Sequence, residues 1–202
     1  MKFSNTLLLA LLFNCAIFSQ NEIRLGLGTG LNYSSIRNNS LGNPNSDFSY
    51  LFSLDFEYYL IENLSFKSGF IFEKKATNLE VGVPKYKDKY NYILIPLLLK
   101  YDFGKSNDFF VNGGAFFGHL LSRYFGDKEI SEINNKKFDF GISLGFGKTI
   151  KLNKKNIISF EIRNNLGLIS IHNNEITRQF NEEDIYPKTN SVNLIMNWIF
   201  KL

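Results

Sequence analysis

Cysteine is almost missing from this chain of 202 residues, which carries a single one, Cys15. That residue lies inside MKFSNTLLLALLFNCAIFSQ, where Lys2 precedes a short apolar run. The pattern predicts a signal peptide over residues 1–20, cut after Ser19 or Gln20, with one domain over 21–202. The bulky Phe13 and Asn14 before Cys15 speak against a lipoprotein attachment site. Once the leader is removed no thiol remains, which excludes a disulfide and a cysteine-based metal site. Histidine is scarce too, with only His119 and His172, and no HExxH spacing is present. No metal or cofactor is therefore expected. The formal charge is only +4 and is spread among acidic neighbours, so no electrostatic footprint for nucleic acid exists. After the leader no apolar run is long enough for a membrane-spanning helix. Barrel strands leave a much weaker signal, and their membrane use stays open.

What the chain has instead is phenylalanine (21 residues), glycine (15) and an apolar/polar alternation of period two. Eight segments carry it: 22–34, 48–60, 64–77, 90–103, 108–122, 138–150, 157–168 and 191–202. In Glu22–Ser34, Leu25, Leu27 and Leu31 alternate with Arg24, Gly26, Gly28 and Gly30. In Phe48–Leu60, Phe52, Leu54 and Phe56 alternate with Ser53, Asp55 and Glu57. The fourth segment, YNYILIPLLLKYDF, is apolar on both faces, and the fifth is glycine-rich; both are ambiguous. The connections alternate between short (61–63, 104–107, 151–156) and long (35–47, 78–89, 123–137, 169–189). That layout predicts an all-β, eight-stranded antiparallel up-and-down transmembrane β-barrel, with tight turns on the periplasmic side and long loops outside.

Alternation alone does not say which face is inside; volume does. An eight-stranded barrel has an interior just wide enough for its own side chains or one small ligand. The apolar face offers roughly thirty to forty large groups, too many for that space. They are expected to face lipid, and the glycine-rich polar face to form a filled polar lumen. The predicted lumen charges are Arg24, Asp55, Glu57, Lys67, Glu73, Lys100, Asp139, Glu161 and Arg163. A turn at 61–63 sets Tyr58 opposite Phe66 and Glu57 opposite Lys67, which predicts a Glu57–Lys67 ion pair. Tyr58, Tyr101 and Trp198, near the short-turn ends, are expected to form an aromatic girdle at the lipid headgroups.

Other chemistry finds less support. Asp55 and Glu57 lie about 7 Å apart on one face, a spacing open to acid–base work. Available cations make salt bridges the better reading. His119, and His172 near Ser170, fall toward the long-loop ends, where a Ser–His rim enzyme acting on lipid is conceivable. No motif marks a nucleophile. Gly26, Gly28 and Gly30 in GLGTG lack the following helix that a dinucleotide loop requires.

Several segments resemble the PorT family of outer-membrane β-barrel proteins. The strongest is YNYILIPLLLKYDFG, similar to the family's Tyr-x-x-Ile-Pro-Leu-Leu-x-Lys-Tyr strand. FFVNGGAFFGHLLS, FDFGISLGFG, RLGLGTGLNYS and FEIRNNLGLISI also resemble its strands. The C-terminus departs from the usual terminal aromatic, because Lys201 and Leu202 follow Phe200. The resemblance implies an outer-membrane location, contact with outer-membrane lipid, and, in one branch, a link to type IX secretion. The function expected is a non-enzymatic accessory of an envelope or secretion complex, or a surface-binding protein acting through its loops. A lipid-modifying rim enzyme and a narrow channel are the alternatives.

Overall fold

The computed structural model describes residues 22–37, 44–80, 85–130, 136–171 and 186–202. The expected leader and His172 lie outside the described residues. The strands are β1 (Ile23–Arg37), β2 (Pro44–Ile61), β3 (Leu64–Glu80), β4 (Lys85–Phe103), β5 (Phe109–Phe125), β6 (Lys128–Glu129), β7 (Phe138–Lys151), β8 (Asn156–Gly167) and β9 (Lys188–Lys201). All pairings are antiparallel, and β1 pairs with β9 while β4 pairs with β5. Setting aside the two-residue β6, which folds back on the end of β5, eight strands close a barrel. Closure leaves no unpaired edge, which is what backbone polar groups in hydrocarbon demand.

The strands outrun the sequence expectation at the long-loop end. β1 reaches Arg37 and β2 begins at Pro44, so the expected loop over 35–47 is mostly strand. β3 and β4 likewise shorten the loop expected over 78–89. The polar composition of these tips hid them, because a strand end standing above the membrane needs no apolar face. Tight turns join the other ends: Ile61 pairs with Leu64 across Glu62 and Asn63. The β4–β5 turn uses Gly104 at φ 95° and Asn107 at φ 52°, conformations that glycine and asparagine adopt most readily.

The register between β2 and β3 is the expected one, with Tyr58 opposite Phe66 and Glu57 opposite Lys67. The side-chain orientation also follows. Phe52 is 54% exposed, Phe56 and Phe160 are exposed, and Leu144 is 66% exposed. Lys67 and Arg163 are each 1% exposed. The apolar exterior continues round the wall through Leu31, Leu54, Phe117, Ile162 and Leu194. An aqueous protein would not expose so large a contiguous apolar surface, whereas a lipid-embedded one requires it.

Two strands settle in ways the sequence left open. β4 buries Tyr90, Tyr92, Leu94 and Leu98 and turns Ile95, Leu97, Leu99 and Tyr101 outward. The lumen is therefore not purely polar, which corrects the expectation. An apolar cluster of Leu51, Ile71, Tyr90, Tyr92, Leu94, Phe116 and Ile195 fills part of it. Room for these rings comes from glycine on the neighbouring strand: a Cβ on Gly141, the register partner of Phe116, would lie 2.5 Å from the Phe116 ring. In β5 the pairing shifts between Asn91 and Tyr92, which leaves Leu121 as an extra residue, outward and exposed.

The outward assignment of Leu144, midway along β7, makes a direct prediction. Leu144→Arg should lower the unfolding free energy in lipid vesicles by about 2–4 kcal/mol. Urea titration of the vesicle-inserted barrel measures it. A change near zero would indicate a water-facing site.

Candidate functional site

The barrel interior brings together residues that are far apart in sequence. Alternation sends every second side chain inward, and closure sets strands from both halves of the chain across one narrow space. Polar groups so enclosed must be satisfied by one another.

At the periplasmic end, Lys100 Nζ lies 3.0 Å from Glu57 Oε2 and 3.4 Å from Asp102 Oδ1. The Tyr59 hydroxyl donates to Asp102 Oδ2 at 2.5 Å, and the Arg24 guanidinium covers the Tyr59 ring at 4.2 Å. Phe110 supports Lys100 from inside, with Nζ 4.8 Å from the ring centroid.

The next level centres on Glu161. Arg163 holds its two oxygens through Nε at 2.5 Å and Nη2 at 2.8 Å. Lys67 Nζ lies 3.0 Å from Oε2, and Asn112 Nδ2 donates to Oε1 at 3.0 Å. The predicted Glu57–Lys67 pair exists, but at 3.9 Å it is the looser contact for both residues. Each has a nearer partner across the lumen, which a two-strand register does not reveal. Asp55 is buried and accepts from Ser53 Oγ at 3.2 Å. Glycines flank it on both neighbouring strands, Gly26 and Gly69. Gly69 has a φ of 152°, and a Cβ there would meet the Leu54 carbonyl oxygen at 2.1 Å. Gly28 makes similar room for polar groups, since its Cβ would collide with Asn197 and Ser53.

Further out, Glu73 accepts hydrogen bonds from Asn32 (2.7 Å), Ser191 (2.6 Å) and Asn165 (3.1 Å). Lys75 pairs with Asp139 at 3.3 Å, and Thr189 donates to the same carboxylate at 2.6 Å. Lys75 also lies over the Tyr92 and Phe116 rings, at 5.1 Å and 5.3 Å. At the outer end, Arg123 reaches Asp88 through Nε at 2.9 Å and Nη2 at 2.7 Å, and Tyr90 donates to Asp88 at 2.8 Å.

The structure thus places Asp55, Glu57, Lys67, Glu73, Lys100, Asp139, Glu161 and Arg163 inside and buried. Arg24 closes the short-turn end of this interior: its side chain is 11% exposed, covers the Tyr59 ring and lies 2.5 Å from Glu22, which Lys201 also bonds. Burial opposes ionisation of Glu22, but hydrogen bonds from Lys201 and Arg24 outweigh it and hold its carboxyl below the ordinary value of 4.5. The network also takes in Tyr59, Lys75, Asp88, Asp102 and Arg123, which the predicted set of lumen charges did not name. The signal for three was available, because Tyr59, Lys75 and Asp102 share faces with Glu57, Glu73 and Lys100.

Of the expected girdle, Tyr101 and Trp198 are exposed at the short-turn end, while Tyr58 is half-buried. Trp198 stacks on Phe200 with ring centroids 5.8 Å apart and donates to Asn156 Oδ1 at 3.2 Å. A triad of Phe103, Phe109 and Phe146 extends the belt on the β4–β5–β7 side. His119 points to the perimeter, its ring 5.3 Å from that of Phe138, whereas Ser170 is buried. The two groups therefore meet different surroundings.

Two outcomes follow from this wiring. Glu161→Gln leaves both Arg163 and Lys67 short of counter-charge and should cost about 3–5 kcal/mol in vesicle unfolding. Glu57→Gln should cost clearly less, because Lys100 keeps Asp102 and Lys67 keeps Glu161. Equal losses would contradict the assignment of Glu161 as the hub. Because folding lowers the pKa of Glu22, the rim strap stabilises above the unfolded value of 4.5 and fades as pH falls through the folded one. The stability difference between wild type and Glu22→Gln should be present at pH 7 and vanish in acid.

The family described as "Outer membrane protein beta-barrel domain" matches residues 18–173. Among solved structures, the chain is similar to Neisserial surface protein A (17% identity, 88% of this chain and 97% of that one, TM-score 0.51). It is also similar to the outer membrane protein OprG from Pseudomonas aeruginosa (15% identity, 90% of this chain and 95% of that one, TM-score 0.51). At these identities the likeness is one of fold. No curated protein matches the chain. With its closed barrel, apolar exterior and matched domain, the chain belongs to the outer membrane protein beta-barrel domain family and is a protein of the outer membrane.

Proposed function

We propose that this chain is a non-enzymatic structural or accessory component of an envelope complex, acting through its long-loop end. The PorT resemblance points to a type IX-like secretion system as the setting. The observation that carries this reading is the filled interior. From Asp102 and Lys100, through Glu57, Glu161 and Glu73, to Asp139 and Asp88, the inward side chains at each level are buried. A barrel so filled offers no ready path for solutes, and its rigid wall suits it to holding loops in place. Ser170 is buried while His119 is exposed, so these two do not support a Ser–His rim enzyme. The partners proposed are outer-membrane lipid and protein members of the complex.

Crosslinking in intact cells, followed by capture of the barrel under denaturing conditions, tests the proposal. Discrete protein partners are expected. They should be lost when segments 38–43 and 131–135 are replaced by short glycine–serine linkers, with folding retained. In planar bilayers the purified protein should give no unitary conductance. Regular conductance steps, or partner capture indifferent to both segments, would contradict the reading.

A further inference from the structure

The outer end of the seam between β1 and β9 sets two cations face to face. Arg37, the last residue of β1, lies directly opposite Lys188, the first of β9. Both occupy the outward parity, since their neighbours Ile36 and Thr189 are buried inside the barrel. Like charges opposed across a strand pair repel and destabilise the pairing.

Three other cations on this side of the barrel have partners. Lys87 pairs with Asp47 at 2.6 Å, and Lys89 lies 3.9 Å from Asp127. Lys74 lies over the Tyr50 ring at 5.4 Å. Among the described residues, neither Arg37 nor Lys188 has a carboxylate within ion-pair distance. Arg37 instead donates through Nη2 to the Gly167 carbonyl at 2.8 Å, which ties its guanidinium to the end of β8. The outward neighbours of this pair are neutral. Asn190 is opposite Ser35, and Asn164 donates to Asn190 Oδ1 at 3.0 Å.

Just below this polar shelf the wall turns apolar. Tyr33 opposite Val192, then Leu31 opposite Leu194, are exposed on the same face. Arg37 stands two outward positions beyond Tyr33, about 10 Å higher once strand tilt is allowed for. A cation pair with no carboxylate in ion-pair range among the described residues, standing above a hydrocarbon-facing strip, matches an amphiphile with an anionic head and acyl tails.

We propose that Arg37 and Lys188 form a docking site for a phosphate group of an outer-leaflet glycolipid, whose acyl chains lie along the strip of Tyr33, Val192, Leu31 and Leu194. The phosphate relieves the repulsion between the two cations and pins the lipid across the seam where the barrel closes. The inference rests on the outer-membrane placement and is independent of the role in an envelope complex.

The test uses the folded barrel in phosphatidylcholine nanodiscs carrying graded amounts of bis-phosphorylated lipid A, with bound lipid counted by native mass spectrometry. Arg37→Gln and Lys188→Gln should each weaken binding roughly five-fold, and the double variant roughly thirty-fold. A phosphate-free derivative of lipid A should bind the wild type as weakly as lipid A binds the double variant. Lys87→Gln, at the same end but outside the site, should change nothing. Wild-type affinity in the double variant would overturn the proposal, as would full affinity for the phosphate-free lipid or an equal loss in Lys87→Gln. Heat-modifiable mobility checks that each variant folds. If the double variant does not fold, the single variants and the phosphate-free lipid still decide.

Discussion

A closed ring of eight strands leaves very little space at its axis, and this constraint shapes everything else in the molecule. Large apolar side chains on one face of every strand cannot all fit there. They turn outward, and only a hydrocarbon solvent accepts them at that density. The inward face must then be small or polar. Glycine at Gly28, Gly69 and Gly141 creates the room, and charged side chains of both signs occupy it in layers. Membrane residence and a charged interior are two consequences of one geometric limit.

The charged interior does not by itself make the barrel stable. Taking ions out of water is costly, and a buried pair returns that cost only when geometry and further hydrogen bonds are good. Glu161 meets the condition, with Arg163, Lys67 and Asn112 all bonded to it. Its bonds join residues from β3, β5 and β8, so they favour one closed arrangement over slipped registers. Glu73 is held differently, by three neutral donors drawn from β1, β8 and β9. The apolar cluster around Tyr92, Leu94 and Phe116 completes the filling where charges give way.

Much of this was legible in the sequence, for a physical reason. A lipid-facing wall and a narrow polar lumen impose a strict period of two, and β1, β2, β3, β7, β8 and β9 show it openly. β4 did not, because it is apolar on both sides: Leu94 and Leu98 face the lumen while Leu97 and Leu99 face lipid. Local register was readable across the tight β2–β3 turn, and Glu57 does face Lys67. Contacts across the lumen were not. That Lys67 prefers Glu161, or that Ser191 bonds Glu73, depends on closure and strand tilt, which no local pattern encodes. Strand ends toward the long loops also escaped notice, since their outward positions carry polar residues in place of the apolar ones that mark the wall below. The opposed pair Arg37 and Lys188 lies in such a region.

The near-absence of cysteine allows a clean measurement of the central claim. Single cysteines can be placed at successive positions 50–57 of β2 in a background lacking Cys15, spin-labelled, and read in lipid vesicles for collision with oxygen and with a water-soluble nickel chelate. The account predicts high oxygen and low nickel accessibility at 50, 52, 54 and 56, with both low at the enclosed positions 51, 53, 55 and 57. Nickel accessibility at 52 and 54 equal to that of a water-exposed loop would show that the apolar face does not meet lipid, and would contradict the account.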